Sequence, residues 1–384
     1  MVAQQATVGI RLGAANAQTQ TRFAYIDNLR IYLTLLVIFH HAAIAYGGAG
    51  DWGVKDVVTD EVSPILLAIF NGVNQAYFMA AFFLLAGYFT PGALARKGGK
   101  QFLLDRLLRL GLPLLVYTTL ILNLNGYLLD RFYFHTAYRV RIGYAPGHLW
   151  FLQALLLFAV CYWLITLVVG VQEKGEPRPF PTDRQWWGWI SLLAVLTFAV
   201  RLAFPVGVWV LGVQPGHFVH YIFAFSAGIL AYRYGWLEAL GKAQARRWGI
   251  GVLIGLPLFV LMGVLAGALD DPTVLDRFMG GWGWEALMYA LWESFFMVAA
   301  LICLLYLFRT RFHQTGPVRR FMAANVYTVY IIHQTILYGV NLSLLALTWP
   351  SLAKFFVAAA LTIPICFGIS ALIRRLPGAT RILG

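Results

Sequence analysis

Ten apolar runs constrain this chain more than anything else in it. They cover approximately residues 29–48, 64–90, 110–129, 147–170, 186–205, 216–234, 248–268, 284–308, 323–346 and 352–373. Each reaches about the 20 residues that a helix needs to cross a bilayer's hydrocarbon core. With 60% of its 384 residues hydrophobic, 12% charged and a mean hydropathy of +0.71, the chain carries more apolar surface than a soluble protein of this size can hide. Only helices or closed barrels satisfy their backbone groups in lipid, and runs of this length predict helices. The expected fold is all-α, a polytopic membrane helix bundle of about ten transmembrane helices.

The net charge of +13 suggests nucleic acid until the charges are placed. They fall in short loops between apolar runs, which argues against a nucleic-acid partner and for membrane lipids. Twenty-two of the 29 Lys and Arg residues lie on one side of the expected topology, among them Arg30, Arg106, Arg109, Arg309 and Arg374. That bias marks the cytoplasmic side. Both termini are therefore expected in the cytoplasm, which needs an even number of spans. Residues 1–21 are polar and small with no apolar h-region, so they are expected to form a disordered cytoplasmic tail and not a cleavable signal. Residues 22–384 are expected to form a single transmembrane domain. Cys161, Cys303 and Cys366 sit inside apolar segments and form no disulfide pattern.

The first span opens Tyr25-Ile26-Asp27-Asn28-Leu29-Arg30 and reaches His41 after ten mostly apolar residues. Residues eleven apart on a helix share a face to within about 20°, so Arg30 and His41 lie on one line roughly 16 Å apart. His40 points about 80° away from that line. With Arg30 at the boundary, His41 reaches the middle of the membrane, where an ionisable residue is by default functional. A neutral imidazole there can act as general base toward a hydroxyl. The alternative is a histidine hydrogen-bonded inside the bundle. Asp27 has the position of an N-cap or an ion-pair partner of Arg30.

Arg106 and Arg109 are spaced i, i+3 at the cytoplasmic mouth of the third span and suit a phosphate or pyrophosphate group. Interfacial arginines snorkelling to lipid headgroups would have the same spacing. Glu293 is the acid to place inside the bundle, where it needs His41 or an arginine as partner. Glu285 reads as a solvated interface residue. His333 lies in the first half of the ninth span, as catalytic group or packing residue. His148 opens the fourth span, and His217 and His220 open the sixth, all on the outer side, where they could line a vestibule for a polar acceptor. Asn71, Asn74 and Gln75 could bind hydroxyls or join helices. No metal site is expected, because the His217–His220 spacing lacks further ligands.

At these residues the chain resembles the acyltransferase-3 family of integral membrane acyltransferases, over roughly Arg22 to Arg375. Arg30 and His41 match its arginine–histidine motif, and Arg106 and Arg109 match its paired arginines. Phe82-Phe83-Leu84-Leu85-Ala86-Gly87-Tyr88, Gly147-His148-Leu149-Trp150-Phe151-Leu152 and Tyr330-Ile331-Ile332-His333 are also similar to family segments. Ala86 stands where Ser is common, and Gln153 where many O-antigen acetylases carry Glu. These departures favour a stand-alone, glucan-succinylating or O-acetylating type. The resemblance implies a multi-pass protein of the cytoplasmic membrane that moves an acyl group from cytoplasmic acyl-CoA, as acetyl-CoA or succinyl-CoA, to a hydroxyl of a carbohydrate or related acceptor outside. Taken together with the resemblance, the residues read above put His41, Glu293 and His333 in catalysis, Arg30, Arg106 and Arg109 on the donor, and Asn71, Gln75, His148, Trp150 and His220 on the acceptor. The rival reading is a proton-coupled transporter using His41, Glu293 and His333 as a relay.

Overall fold

The computed structural model describes the chain with its side chains from Ala24 onward, apart from residues 172 and 173. The first helix, α1, is Val2–Ala45. The tail expected over residues 1–21 lies outside the residues so described. Ten more long helices follow: α2 (Val62–Gln75), α3 (Phe78–Lys97), α4 (99–133), α5 (Trp150–Val169) and α6 (Asp183–Ala203), then α7 (Phe218–Tyr234), α8 (Lys242–Leu265), α9 (Trp284–Arg311), α10 (Pro317–Leu344) and α11 (Ser351–Ile373). Among the described residues the only β pairing is an isolated bridge between Val210 and Val213. The protein is an all-α membrane bundle, as the apolar runs require.

Seven stretches are long and apolar enough to cross a membrane, and they contain eight of the ten expected spans. One of them, Val62–Tyr133, holds two spans, which part at Gly98, a residue with φ of 71° that ends α3. The other two expected spans are α7, 17 residues long, and α10, whose interior carries Asn325, His333, Gln334 and Asn341. The second expected span, 64–90, is not one helix. It breaks at Ala76 and Tyr77 into α2 and α3.

Burial ranks the helices. Two-thirds of the apolar window of α1 and of α9 is inside the bundle, against 11% for α8. Hence α1 and α9 are central and α8 is peripheral, its Leu253, Ile254 and Leu265 turned outward as lipid-facing positions should be. Inside lipid no hydrophobic force draws helices together, so close packing must. Gly87 and Gly228 show how. A Cβ on Gly87 would stand 2.0 Å from the Phe225 carbonyl oxygen, and one on Gly228 would stand 2.1 Å from that of Leu84. The backbones of α3 and α7 therefore touch where each has glycine.

Three helices run side by side in one direction. Asn28 of α1 donates to the carbonyls of Phe312 and Gln314, just before α10, at 2.6 and 3.0 Å. Further along, His41 meets His333 and Tyr46 donates to Asn341 at 3.2 Å. Between α4 and α10, Tyr327 donates to the Arg109 carbonyl and Tyr117 is hydrogen-bonded to the Gln334 amide. Thus α1, α4 and α10 are parallel. In addition, α4 is wound wide in three π-helical turns, Leu107–Gly111, Tyr117–Ile121 and Leu129–Tyr133. Such turns cost helix stability and often mark functional positions; the first two carry Arg109 and Tyr117.

Candidate active site

The site is assembled by α10. His333 is fully buried, and its Nδ1 stands 2.6 Å from the carbonyl oxygen of Tyr330 on its own helix. A carbonyl can only accept, so Nδ1 carries the hydrogen and Nε2 of the neutral ring is left as acceptor. His41 Nδ1 lies 2.8 Å from that Nε2 and so must donate. The tautomer of His41 follows: hydrogen on Nδ1, lone pair on Nε2. Among the described residues His41 Nε2 has no hydrogen-bond partner, and the ring is half-buried, not sealed.

His40 is arranged differently. Its Nδ1 accepts from the Asn74 amide at 3.1 Å, and its ring stacks on Phe78 with centroids 4.9 Å apart. The one-residue step around α1 thus sends His41 to α10 and His40 to α2 and α3.

His148 enters from the turn before α5 and completes the group. Its ring stands edge-on to His333, centroids 4.7 Å apart. Nε2 donates to the Ile331 carbonyl at 3.0 Å, and Nδ1 contacts the Gln334 amide at 2.7 Å. With Nε2 holding the hydrogen, a neutral His148 needs the amide NH2 of Gln334 turned toward Nδ1. Tyr117 and Tyr338 also bond to Gln334, and the hydroxyl of Tyr330 donates to the His148 carbonyl. Three histidines from α1, α10 and the start of α5 are therefore locked together.

A second buried cluster lies on α6, α7 and α9. Arg201 and Glu293 are 0% and 2% exposed, with Nη2 and Oε2 2.6 Å apart. Arg201 also donates from Nε to the Gly216 carbonyl at 3.0 Å, and its guanidinium lies over the Tyr289 ring. His217 Nδ1 is 3.3 Å from Arg201 Nη2 and 3.5 Å from Glu293 Oε1. His220 Nε2 contacts the Ser294 hydroxyl at 2.9 Å. The expected partner of Glu293 is thus the arginine, and His41 is not near it by any bond. The outer vestibule expected for His148, His217 and His220 divides between the two clusters.

The remaining expected residues are placed as follows. Asn71 donates to the Ala49 carbonyl at 2.9 Å and so holds the loop between α1 and α2. Gln75 donates to the Tyr221 hydroxyl at 3.2 Å, and Trp150 stacks on the same Tyr221, centroids 5.5 Å apart. Arg30 pairs with Asp27 at 3.6 Å across one helical turn, with both side chains nearly half exposed. Arg109 is exposed, with Nη1 on the Gly384 carbonyl at 2.5 Å, and Arg106 is half-buried over the Phe102 ring. Tyr327, bonded to Arg109, stands two turns before His333 on α10. Glu285 is buried, against the solvated position expected, with Arg277 Nη1 at 3.7 Å. No group of three His, Cys, Asp or Glu side chains among the described residues is arranged to hold a metal ion.

Over residues 23–371 the chain matches the family described as the Acyltransferase domain. The chain belongs to the acyltransferase-3 family. It is similar to the glucans biosynthesis protein C of Salmonella schwarzengrund (strain CVM19633), 25% identical over 281 residues that cover 67% of this chain and 72% of that protein. The proteins of the same name from Salmonella agona (strain SL483) and Salmonella paratyphi A match to the same extent. No solved structure matches. The acyltransferase-3 protein described here is thus an integral membrane acyltransferase.

Sequence reasoning missed Tyr117, Gln334, Tyr338 and Trp52 at this site. A signal for two of them, Gln334 and Tyr338, exists on α10. Tyr327, Tyr330, Gln334, Tyr338 and Asn341 recur at steps of three and four along an otherwise apolar helix, which is a polar stripe on one face.

Proposed function

We propose that this protein transfers an acyl group from cytoplasmic acyl-CoA to a hydroxyl of a glucan-like carbohydrate on the outer side of the cytoplasmic membrane, with both termini inside. The observation that carries this reading is the free Nε2 of His41, fixed as a base by the bond from Nδ1 to His333. His41 Nε2 takes the acceptor's hydroxyl proton. The acceptor oxygen bonds to the thioester carbonyl carbon, the carbon–sulfur bond breaks, and the proton passes from His41 to the departing thiolate. His333 accepts from Nδ1–H throughout and stabilises the imidazolium as it forms, the role of the third member in triad logic. His148 and Gln334 hold His333 in place.

Arg109 and Arg106, with Arg30 beside the first span, would bind the donor's phosphates by charge-assisted hydrogen bonds. The line from Arg109 through Tyr327 to His333 runs along α10 for about 9 Å, six residues at helical rise. Arg30 lies on the face of α1 that leads to His41. Trp150, Gln75 and Tyr221 offer an aromatic and amide surface suited to a sugar. Glu293 is neutralised by Arg201 and acts through the position of His217 and His220. The glucan acceptor is drawn from the name of the Salmonella relatives, glucans biosynthesis protein C, and succinyl or acetyl from the family resemblance.

The test uses protein reconstituted in liposomes with radiolabelled succinyl-CoA or acetyl-CoA outside, at the cytoplasmic face, and a glucan oligosaccharide in the lumen. His41→Gln should lower ester formation about 10²–10⁴-fold, the usual worth of a general base, with His40→Gln well above it. Transfer by a well-inserted His41→Gln protein at the native rate would end this reading. Solute accumulation with no acyl donor present would replace it with transport.

A further inference from the structure

We infer that Trp52, from the outer loop between α1 and α2, is a positioning residue that stabilises the protonated form of His41 during acyl transfer. The inference rests on the reading of His41 as the base. The buried indole lies parallel to the His41 ring, centroids 4.5 Å apart and planes 16° apart. His333 accepts from Nδ1 of the same ring, so His41 meets both an aromatic face and a hydrogen-bond acceptor.

The loop is fastened at every few residues, and the fastenings converge on Trp52. Asp56 donates its backbone N–H to the Ala45 carbonyl at 2.8 Å, and its carboxylate accepts from Lys354 Nζ at 2.6 Å. That ion pair is almost wholly buried, 2% and 7% exposed. Lys55 exchanges backbone bonds with the Tyr133 hydroxyl at 3.3 and 2.6 Å. Gly53 donates to the Tyr338 hydroxyl at 3.2 Å, and a Cβ there would stand 2.6 Å from the same oxygen. Glycine is thus required next to Trp52 for the loop to come this close. Tyr338 meets the indole edge-on at 4.9 Å. A loop needing only to join two helices has no use for a buried ion pair and a contact this tight.

The physical effect appears only as the reaction proceeds. Against a neutral imidazole the indole offers dispersion. Once Nε2 has taken the acceptor's proton, the ring is a cation on the face of the aromatic that binds cations best. An interaction that strengthens as charge develops lowers the barrier and raises kcat, with little change in KM. The proton and electron balance is that of the transfer itself; Trp52 exchanges neither.

The test keeps the shape of the site and changes only the charge distribution of the ring. Fluorine withdraws density from the indole face, so 5-fluoro-, 5,7-difluoro- and 5,6,7-trifluorotryptophan are placed at position 52 by site-specific incorporation. The purified proteins are assayed in liposomes with acyl-CoA and glucan oligosaccharide. We expect kcat to fall stepwise with fluorine number, toward the roughly 30-fold limit of a desolvated cation–π contact, with KM for the donor unchanged. Trp52→Leu should lose at least as much as the trifluoro protein, and Trp52→Phe should recover part of it. A flat kcat across the fluorinated series, with His41→Gln inactive, overturns the inference and leaves the base intact. An active His41→Gln overturns the base and this inference with it.

Discussion

Arg201 and Glu293 make the most demanding prediction, because burial leaves neither side chain an alternative partner. Their side chains are 1% and 2% exposed and meet at 2.6 Å. The contact is ionic more than an aligned hydrogen bond, since Glu293 Oε2 has no hydrogen-bond partner despite the close approach of Arg201 Nη2. Removing one member leaves the other's charge uncompensated in the bundle, which in buried pairs costs about 3–5 kcal/mol. Removing both charges leaves no uncompensated ion in the bundle and costs far less than removing one. Glu293→Gln should therefore strongly destabilise the protein, Arg201→Met should do the same, and Arg201→Met with Glu293→Gln should recover most of the loss. His217 limits the recovery, because its Nδ1 faces both partners.

The measurement is thermal unfolding in detergent, followed by intrinsic tryptophan fluorescence. Unfolding entropy scales with chain length, so each kcal/mol moves the midpoint of a chain this long by roughly 1–2 °C. The single variants should fall by about 4–10 °C and the double variant by no more than a third of that. With singles of about 3–5 kcal/mol and a double at no more than a third of that, the coupling energy from the cycle should be about 5–8 kcal/mol, above the ~0.5–3 kcal/mol usual for side chains in contact. Glu293→Gln that unfolds with the native midpoint but transfers no acyl group would refute the reasoning, and would make Glu293 a chemical participant.

Two further outcomes follow from the geometry. Gly87→Leu should separate α3 from α7, because its Cβ would overlap the Phe225 carbonyl and backbone cannot yield as a side chain can; a loss of more than the ~1–3 kcal/mol of ordinary overpacking is expected, seen as aggregation on size exclusion, and a monodisperse protein with the native midpoint would contradict it. Arg109→Ala should weaken acyl-CoA binding in nanodiscs by about 10–100-fold, the worth of one hydrogen bond to a charged group, and Arg106→Ala by less because its guanidinium is half-buried over Phe102; unchanged donor affinity in the double variant would make the pair structural.

The parts of this fold that sequence exposes are those set by the solvent. Lipid forces whole helices, so each apolar run falls on helix, although α4 starts about three turns before the expected span and the second run is split into α2 and α3; His41, eleven residues after Arg30, lies on the face of α1 that meets α10. Partners across the bundle are set by packing, which no single-chain periodicity carries. His148 reads as an outer residue because it opens a span, yet the turn before α5 carries it inward to Gln334 and Ile331. Glu293 reads as a partner for His41 or for an arginine because both are ionisable and intramembrane. The crossing of α6 and α9 selects Arg201. The break at Ala76 and Tyr77 has no proline or glycine to announce it; α2 and α3 there serve different partners, Asn74 bonding His40 and Tyr77 sharing a hydrogen bond with Tyr32 at 2.8 Å.

Hydropathy and chemistry pull in opposite directions on one helix, and the site lies there. Of the helices about α1, α10 is the one whose polar stripe dilutes its apolar signal. Every residue of that stripe makes a bond: Tyr327 to Arg109, Tyr330 to His148, His333 to His41, Gln334 to Tyr117 and Tyr338, and Asn341, through Oδ1, to Tyr46. In hydrocarbon an unused polar group costs several kcal/mol, so a stripe this long persists only where neighbouring helices answer each member of it. The neighbours that answer are α1, α4 and the turn before α5, and α1 and α4 also carry Arg30, Arg106 and Arg109. One face of α10 thereby joins the arginine end of the bundle to His41 and, through Tyr338 and Gly53, to the loop that seats Trp52.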